Sequence, residues 1–367
     1  MRSGVIIESL TARPLRVPLL LPFVIATARV DETRAALIEV RVSDRAGGQA
    51  RGLGEAAALW PVTREDLPDI LSAVEGVRGS LEGRTLQDLR PGLLDELLGG
   101  ALSSSPVARA GIESALLDGI ARLRRAPAHA LLGAGVVTSL VTDITIPIGD
   151  ADQMALLARA HQDRGFDCFK VKVGKDRDSD LRALLAIAAA VPGARFRLDA
   201  NAGFGPDDAL SLVREVERRG VLVECFEQPC AEDDLDAMAF VAERSRPPVV
   251  ADESVKTMED LERVIARKAA RGVNLKLSKS GGPIEAFAIG QRARAAGLSL
   301  MCGAMVETRL GLSAMAHVAS ALGGVEWVDL DTAFLLAEDP FVGGYVAEGA
   351  TLKLVPGAGF GVSNAAG

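Results

Sequence analysis

Two hydrophobic periods divide the chain. Near the start, "GVIIESLTARPLRV" and "RAALIEVRVSD" alternate apolar and polar positions with the period of two that a strand requires. The run "VPLLLPFVIA" (17–26) is interrupted by Pro18 and Pro22 and reads as strand and loop. A Gly-rich stretch ending in "RGLGEAAALWP" reads as a turn region. From about Arg64 to Leu132 the period becomes helical, in "EDLPDILSAVEGV", "RPGLLDELLGGAL" and "SPVARAGIESALLDGIARLRR". In the last of these, Ala108, Ile112, Ala115, Leu116 and Ile120 form one stripe at helical spacing. Strands followed by helices predict a separate α+β domain.

From residue 141 the pattern becomes strand–helix repetition. The predicted strands are "TDITIPIG" (142–149), "CFKVKVG" (168–174), "RFRLDAN" (195–201), "LVECFEQP" (222–229), "PVVADES" (248–254), "GVNLKLSK" (272–279), "LSLMCGAM" (298–305) and "VEWVDLD" (325–331). Amphipathic segments such as "ADQMALLARAHQDRG" fill the gaps. Eight strands at a pitch near 25 residues predict a TIM-type barrel. A doubly wound open sheet is the alternative, because a strand count does not prove closure. The Gly-rich tail carries a short strand-like "ATLKLVPG" and is expected to return to the N-terminal domain.

Composition narrows the class of protein. A chain of 367 residues, 49% hydrophobic, can bury a large core and hold more than one domain. Its 49 acidic against 41 basic residues give a net charge of −8, which argues against nucleic acid as a partner. No stretch approaches the ~20 uninterrupted apolar residues of a membrane span, and the N-terminal run lacks the form of a signal peptide. Cys168, Cys225, Cys230 and Cys302 have no CxxC spacing and read as reduced core cysteines of a cytoplasmic protein. The three histidines, His129, His161 and His317, stand apart on helix-like segments, which argues against a histidine-based metal site or triad.

The charges at the strand ends change the picture more. In a barrel enzyme the reacting groups gather at the C-terminal ends of the strands. Lys172, Asp199, Glu227, Asp252 and Lys276 end the second to sixth predicted strands, at successive spacings of 27, 28, 25 and 24 residues. Each step is one strand–helix unit, so all five converge on one mouth. A lone Asp after a strand is ordinarily a helix cap. Three carboxylates buried together repel one another unless a cation joins them, and three oxygens from three strands suit a hard divalent ion, Mg2+ or Mn2+. Lys172 and Lys276, on opposite sides of the barrel, would then face a bound carboxylate substrate from two sides. One amine removes an α-proton and the other returns a proton to the opposite face. Lys170 lies two residues before Lys172 on the same strand face, where its charge is expected to lower the pKa of Lys172.

In that order and spacing, "KVKVG", "LDAN", "FEQP", "ADES" and "NLKLSKSGG" resemble the muconate-lactonizing subgroup of the enolase superfamily. A Lys or His base, Mg2+ and an enediolate are established for that superfamily. The resemblance covers nearly the whole chain. It implies a modified (β/α)7β TIM-type barrel (residues 126–331) under an α+β capping domain built from residues 1–125 and the C-terminal segment 332–367. It implies Asp199, Glu227 and Asp252 as metal ligands, and Lys172 and Lys276, with Lys170, as the catalytic lysines. Lys276 is chosen over Lys279 because the Gly-Gly pair follows it at the family's offset. Glu253 and Asn201 are expected to support the ligands.

"EWVDLDT" resembles the dipeptide epimerases of that subgroup, which hold a substrate ammonium with an Asp-x-Asp pair. This implies Asp329 and Asp331 as substrate-binding residues, together with Thr145, Lys170, Ala304 and Val306. Ala304 stands where that group carries Cys. The implied activity is 1,1-proton transfer at the C-terminal residue of a dipeptide of the L-Ala-D/L-Glu type. The alternative is a muconate cycloisomerase, o-succinylbenzoate synthase or N-acylamino acid racemase reaction on another carboxylate. Arg29 and Arg309 are candidates for reading the substrate side chain. A cytoplasmic homo-oligomer with a small-molecule substrate completes the expectation.

Overall fold

The computed structural model describes residues 4–133 and 136–365. Its centre is a parallel sheet of eight strands in chain order. These are β1 (Ile144–Ile146), β2 (Cys168–Lys172), β3 (Arg195–Asp199), β4 (Leu222–Glu227), β5 (Val249–Ala251), β6 (Gly272–Leu275), β7 (Ser299–Gly303) and β8 (Trp327–Asp329). The sheet closes where Thr142 bridges Val328 in parallel and the Asp143 amide donates to the Val328 carbonyl at 3.1 Å. Closure excludes the open doubly wound sheet. A helix follows each of β1 to β7, whereas β8 runs into a 3-10 turn, Thr332–Leu335. The barrel is therefore (β/α)7β.

Side chains alternate across each strand, so every second residue points into the barrel. On one side the interior is apolar, where Cys225, Val250, Met301 and Trp327 pack together. Toward the strand ends it is charged, and there the site lies.

The N-terminal part is an antiparallel sheet in the order 49–58, 34–44, 5–15 and 85–86, covered by helices Leu67–Leu81, Leu93–Leu98 and Pro106–Leu123. The strand Gln49–Ala58 corrects the sequence reading, which took its glycines for a turn. Those glycines let the strand touch the helix backbone to backbone: a Cβ on Gly52 would lie 2.0 Å from the Ala115 carbonyl oxygen, and one on Gly54 2.1 Å from that of Gly111. A second correction concerns β6, which stops at Leu275 and gives way to a helical turn, Leu277–Ser280. Extended backbone at Lys276 (φ −133°, ψ 132°) keeps it in strand phase, while the turn after it brings Lys279 back under the sheet end.

The tail strand Thr351–Leu354 pairs with Ser139–Val141 ahead of the barrel, and the Phe360 amide donates to Asp118 of helix Pro106–Leu123 at 2.7 Å. All four cysteines are free and buried. Two of the histidines are not isolated: the Nδ1 atoms of His129 and His317 lie 3.0 Å apart. Among the described residues no helix is long and apolar enough to cross a membrane.

Candidate active site

Strand phase delivers Lys172, Asp199 and Glu227 to one end of the barrel at the last residues of β2, β3 and β4, with Asp252 and Lys276 one residue past β5 and β6. All five are buried. Lys172 Nζ lies 2.6 Å from Asp199 Oδ2, and Lys276 Nζ 2.7 Å from Asp252 Oδ2. Lys276 is 3.9 Å from Glu227. Burial opposes the charged form of Asp199 and Asp252, but neighbouring lysines outweigh it and hold both carboxyls below the ordinary range. Glu227 goes the other way: burial and then the repulsion of Asp199 push it up to about 7. Burial works against the Lys276 ammonium, yet Asp252 outweighs it, so Lys276 holds its proton more tightly than a free lysine.

Lys170 differs from its expected part. Its Nζ lies 2.7 Å from Asp329, 2.7 Å from Glu227 and 3.1 Å from Asp199. Burial opposes its charged form, but attraction from Asp329, Glu227 and Asp199 outweighs that and raises its pKa well above normal. It does not line the cavity that Lys172 and Lys276 share.

The cavity itself is lined by Lys172 and Lys276, by Thr145, Ala304 and Val306, and by Asp329 and Asp331. Its roof comes from the N-terminal part, through Phe23, Ile25, Leu59 and Val62. The Phe23 ring centre is 5.9 Å from Lys172 Nζ. Asp331 Oδ2 accepts the Thr145 amide at 2.5 Å, and its Oδ1 is buried without a hydrogen-bond partner. Burial and the Asp329 charge push Asp331 up to about 6. Asp143, Asp329 and Asp331 each offer an oxygen within 4.8 Å of the others. Asp143 is paired with Arg197 at 2.8 Å and Asp329 with Lys170, so this trio belongs to a charge network at the Asp-x-Asp end.

Two of the side residues lie as expected. The Asn201 amide donates to Asp199 at 3.0 Å, and its side chain reaches Glu253 at 3.2 Å. The arginines do not face the cavity. Arg29 is exposed against Asp31, and Arg309 donates to the Gly343 and Tyr345 carbonyls.

Two contributors, Asn274 and Gln228, escaped the sequence reading, and a third, Lys279, was passed over there in favour of Lys276. Asn274 donates to Glu227 at 2.7 Å; as the residue two before Lys276, its strand phase already pointed inward. Gln228, at φ +33°, accepts the amides of Asp252 and Ser254 at 2.9 and 3.1 Å. Lys279 donates to Asp252 Oδ1 at 2.6 Å and to its carbonyl.

Residues 153–365 match the family model "Enolase C-terminal domain-like". The chain belongs to the enolase superfamily. It is 37% identical over 353 residues to the L-Ala-D/L-amino acid epimerase of Populus trichocarpa, covering 95% of this chain and 82% of the relative. Among solved structures, the substrate-liganded L-Ala-D/L-Glu epimerase of Bacillus subtilis superposes with a TM-score of 0.90 at 32% identity, over 98% of this chain and 99% of the other. The dipeptide epimerase of Enterococcus faecalis, complexed with Mg and L-Leu-L-Tyr, follows at 0.87 and 29%, over 98% and 99%. Within the superfamily the chain thus stands beside dipeptide epimerases.

Proposed function

We propose that the protein is a metal-dependent dipeptide epimerase that inverts the α-carbon of the C-terminal residue. The observation that carries this reading is one cavity lined by Lys172 and Lys276, from opposite sides of the barrel, with Asp329 and Asp331 in its wall. Residues 1–125 and 332–367 act as the cap, and 126–331 as the barrel that does the chemistry.

Asp199, Glu227 and Asp252 would hold Mg2+ or Mn2+. Their fit is supported by three hard oxygen donors on adjacent strand ends and by Glu227 Oε2, which is buried without a hydrogen-bond partner although Lys170 Nζ lies 2.7 Å away. When bound, the ion offsets the negative charge that builds on the substrate carboxylate as the α-C–H bond breaks.

The chain's own residues do the rest. Asp331, with its free Oδ1, and Asp329 receive the substrate ammonium and fix the dipeptide along the cavity. Lys172 Nζ takes the α-proton on one face. Lys276 Nζ, kept protonated by Asp252, delivers a proton on the other, and the two exchange parts for the opposite epimer. Phe23, Ile25, Leu59 and Val62 shield the reacting carbon from water. Lys170 holds Asp199, Glu227 and Asp329 in register.

The free buried cysteines support a cytoplasmic location, and a homo-oligomer is the expected assembly. Incubation with a dipeptide library and Mg2+ in deuterated water tests the function by NMR. Loss of the α-proton signal of the C-terminal residue, with the second epimer appearing, is expected. A library without exchange, alongside turnover of a non-dipeptide carboxylate, would replace the reading with cycloisomerisation or another racemisation.

A further inference from the structure

A second, apolar cavity of about 160 Å³ opens beside the reaction cavity and shares Phe23 and Thr145 with it. Its walls include Leu21, Pro22, Leu157, Phe334 and Leu335. Its roof is strand Pro18–Val24, and that roof is tied down on both sides. The Ala337 amide donates to the Pro18 carbonyl at 2.8 Å, Leu19 bridges Leu336, and the Ile148 amide donates to the Val24 carbonyl at 3.0 Å. The strand's register to residues 29–32 breaks between Pro18 and Phe23, which leaves Leu20 and Leu21 exposed (61% and 60%) at the mouth.

The position is what gives this cavity a use. Thr145 binds Asp331 through its amide, so the cavity begins where the ammonium end of a dipeptide would be held. Phe334 and Leu335 follow Asp331 in the next turn of chain. A side chain on the N-terminal residue, one bond from that ammonium-bearing carbon, has this cavity next to it. A cavity of roughly 150 Å³ walled by apolar side chains accepts a benzene ring, so Leu, Met or Phe fits this one.

Resting on the epimerase reading above, we propose that this cavity is a specificity pocket for the N-terminal residue and selects dipeptides that begin with a large apolar side chain. The opposing features are His161, whose Nε2 is buried without a hydrogen-bond partner, and Arg164, an exposed residue at the wall whose guanidinium lies 5.8 Å from the Phe334 ring centre. A glutamate-first dipeptide would use Arg164, and belongs in the test.

The test measures kcat/KM for two dipeptide series. One varies the first residue through Ala, Leu, Phe and Glu before a fixed second residue; the other fixes the first residue as Leu and varies the second. Leucine- or phenylalanine-first dipeptides should exceed alanine-first ones by about tenfold or more, the range for filling an apolar pocket. Ala160→Phe, at an exposed helix position in the pocket wall, should remove that advantage without reordering the second-residue series. A flat first-residue series, a glutamate preference, or an Ala160→Phe effect confined to the second residue overturns the pocket while leaving epimerisation intact. Absence of α-proton exchange with every dipeptide overturns the functional reading and the pocket with it.

Discussion

Asp331 sets a pH limit on the site. It is buried beside Asp329, and its carboxyl is pushed up to about 6, first by burial and then by that neighbour's charge. Only the ionised form attracts an ammonium. As pH falls through about 6, kcat/KM for a dipeptide should therefore fall, and a pH–rate profile checks it. At neutral pH, Asp331→Asn should raise KM by roughly ten- to a hundredfold, the worth of one hydrogen bond to a charged group, with a smaller change in kcat. The lysines answer to a different measurement. Lys172→Ala and Lys276→Ala should each lower epimerisation by about 10²- to 10⁴-fold, read by polarimetry or NMR, while binding of the dipeptide persists. These charged residues were legible in the sequence because buried charges in phase with successive strands have no ordinary structural reading. Asn274 and Gln228 were harder to see. A neutral amide costs less to bury than a charge and fits many turns, so nothing in its identity marks it until Glu227 and Asp252 are seen to depend on it.

The cap strand Gln49–Ala58 shows why elements were less legible than residues. Glycine lowers strand propensity, so "RGLGE" reads as a turn. The helix Pro106–Leu123 requires those glycines, and that requirement is tertiary: it appears only when strand and helix are placed together. Gly52→Ala should therefore cost about 1–3 kcal/mol, because a methyl group at 2.0 Å from a backbone oxygen forces the helix outward. Gly76, inside helix Leu67–Leu81, has no atom beyond its own helix backbone within 4 Å of an added Cβ, and Gly76→Ala should stabilise by about 0.5–1 kcal/mol. Urea midpoints of the two variants should shift in opposite directions. Shifts in the same stabilising direction would mean that the backbone freedom of glycine, and not the close approach, governs both positions.

Across the whole molecule, buried glutamates join the cap to the barrel. Glu55 accepts the amides of Thr308 and Gly311 at 3.0 Å, at the start of barrel helix Arg309–Leu322. Glu113 accepts the Ile284 amide at 2.6 Å, at the start of helix Pro283–Ala295. Each uses a carboxyl of the cap to satisfy helix amides that lack partners in their own helix. Burial raises both acids, Glu55 to about 7 and Glu113 to about 8, and their amide contacts only partly oppose it. A group whose pKa is higher folded than unfolded binds its proton more tightly in the native state. Its contribution is thus complete below the unfolded value near 4.5 and is lost as pH rises toward the folded value. Between pH 5 and 8 the folded protein should lose stability. Glu113→Gln keeps an oxygen for the Ile284 amide and removes the titration, so it should cut the loss over that range by on the order of 3 kcal/mol. Thermal melts of the full chain at pH 5, 6.5 and 8 measure it. If the variant and the parent lose stability in parallel, Glu113 is ionised in the folded protein, and its carboxylate is held by the helix start rather than neutralised by burial.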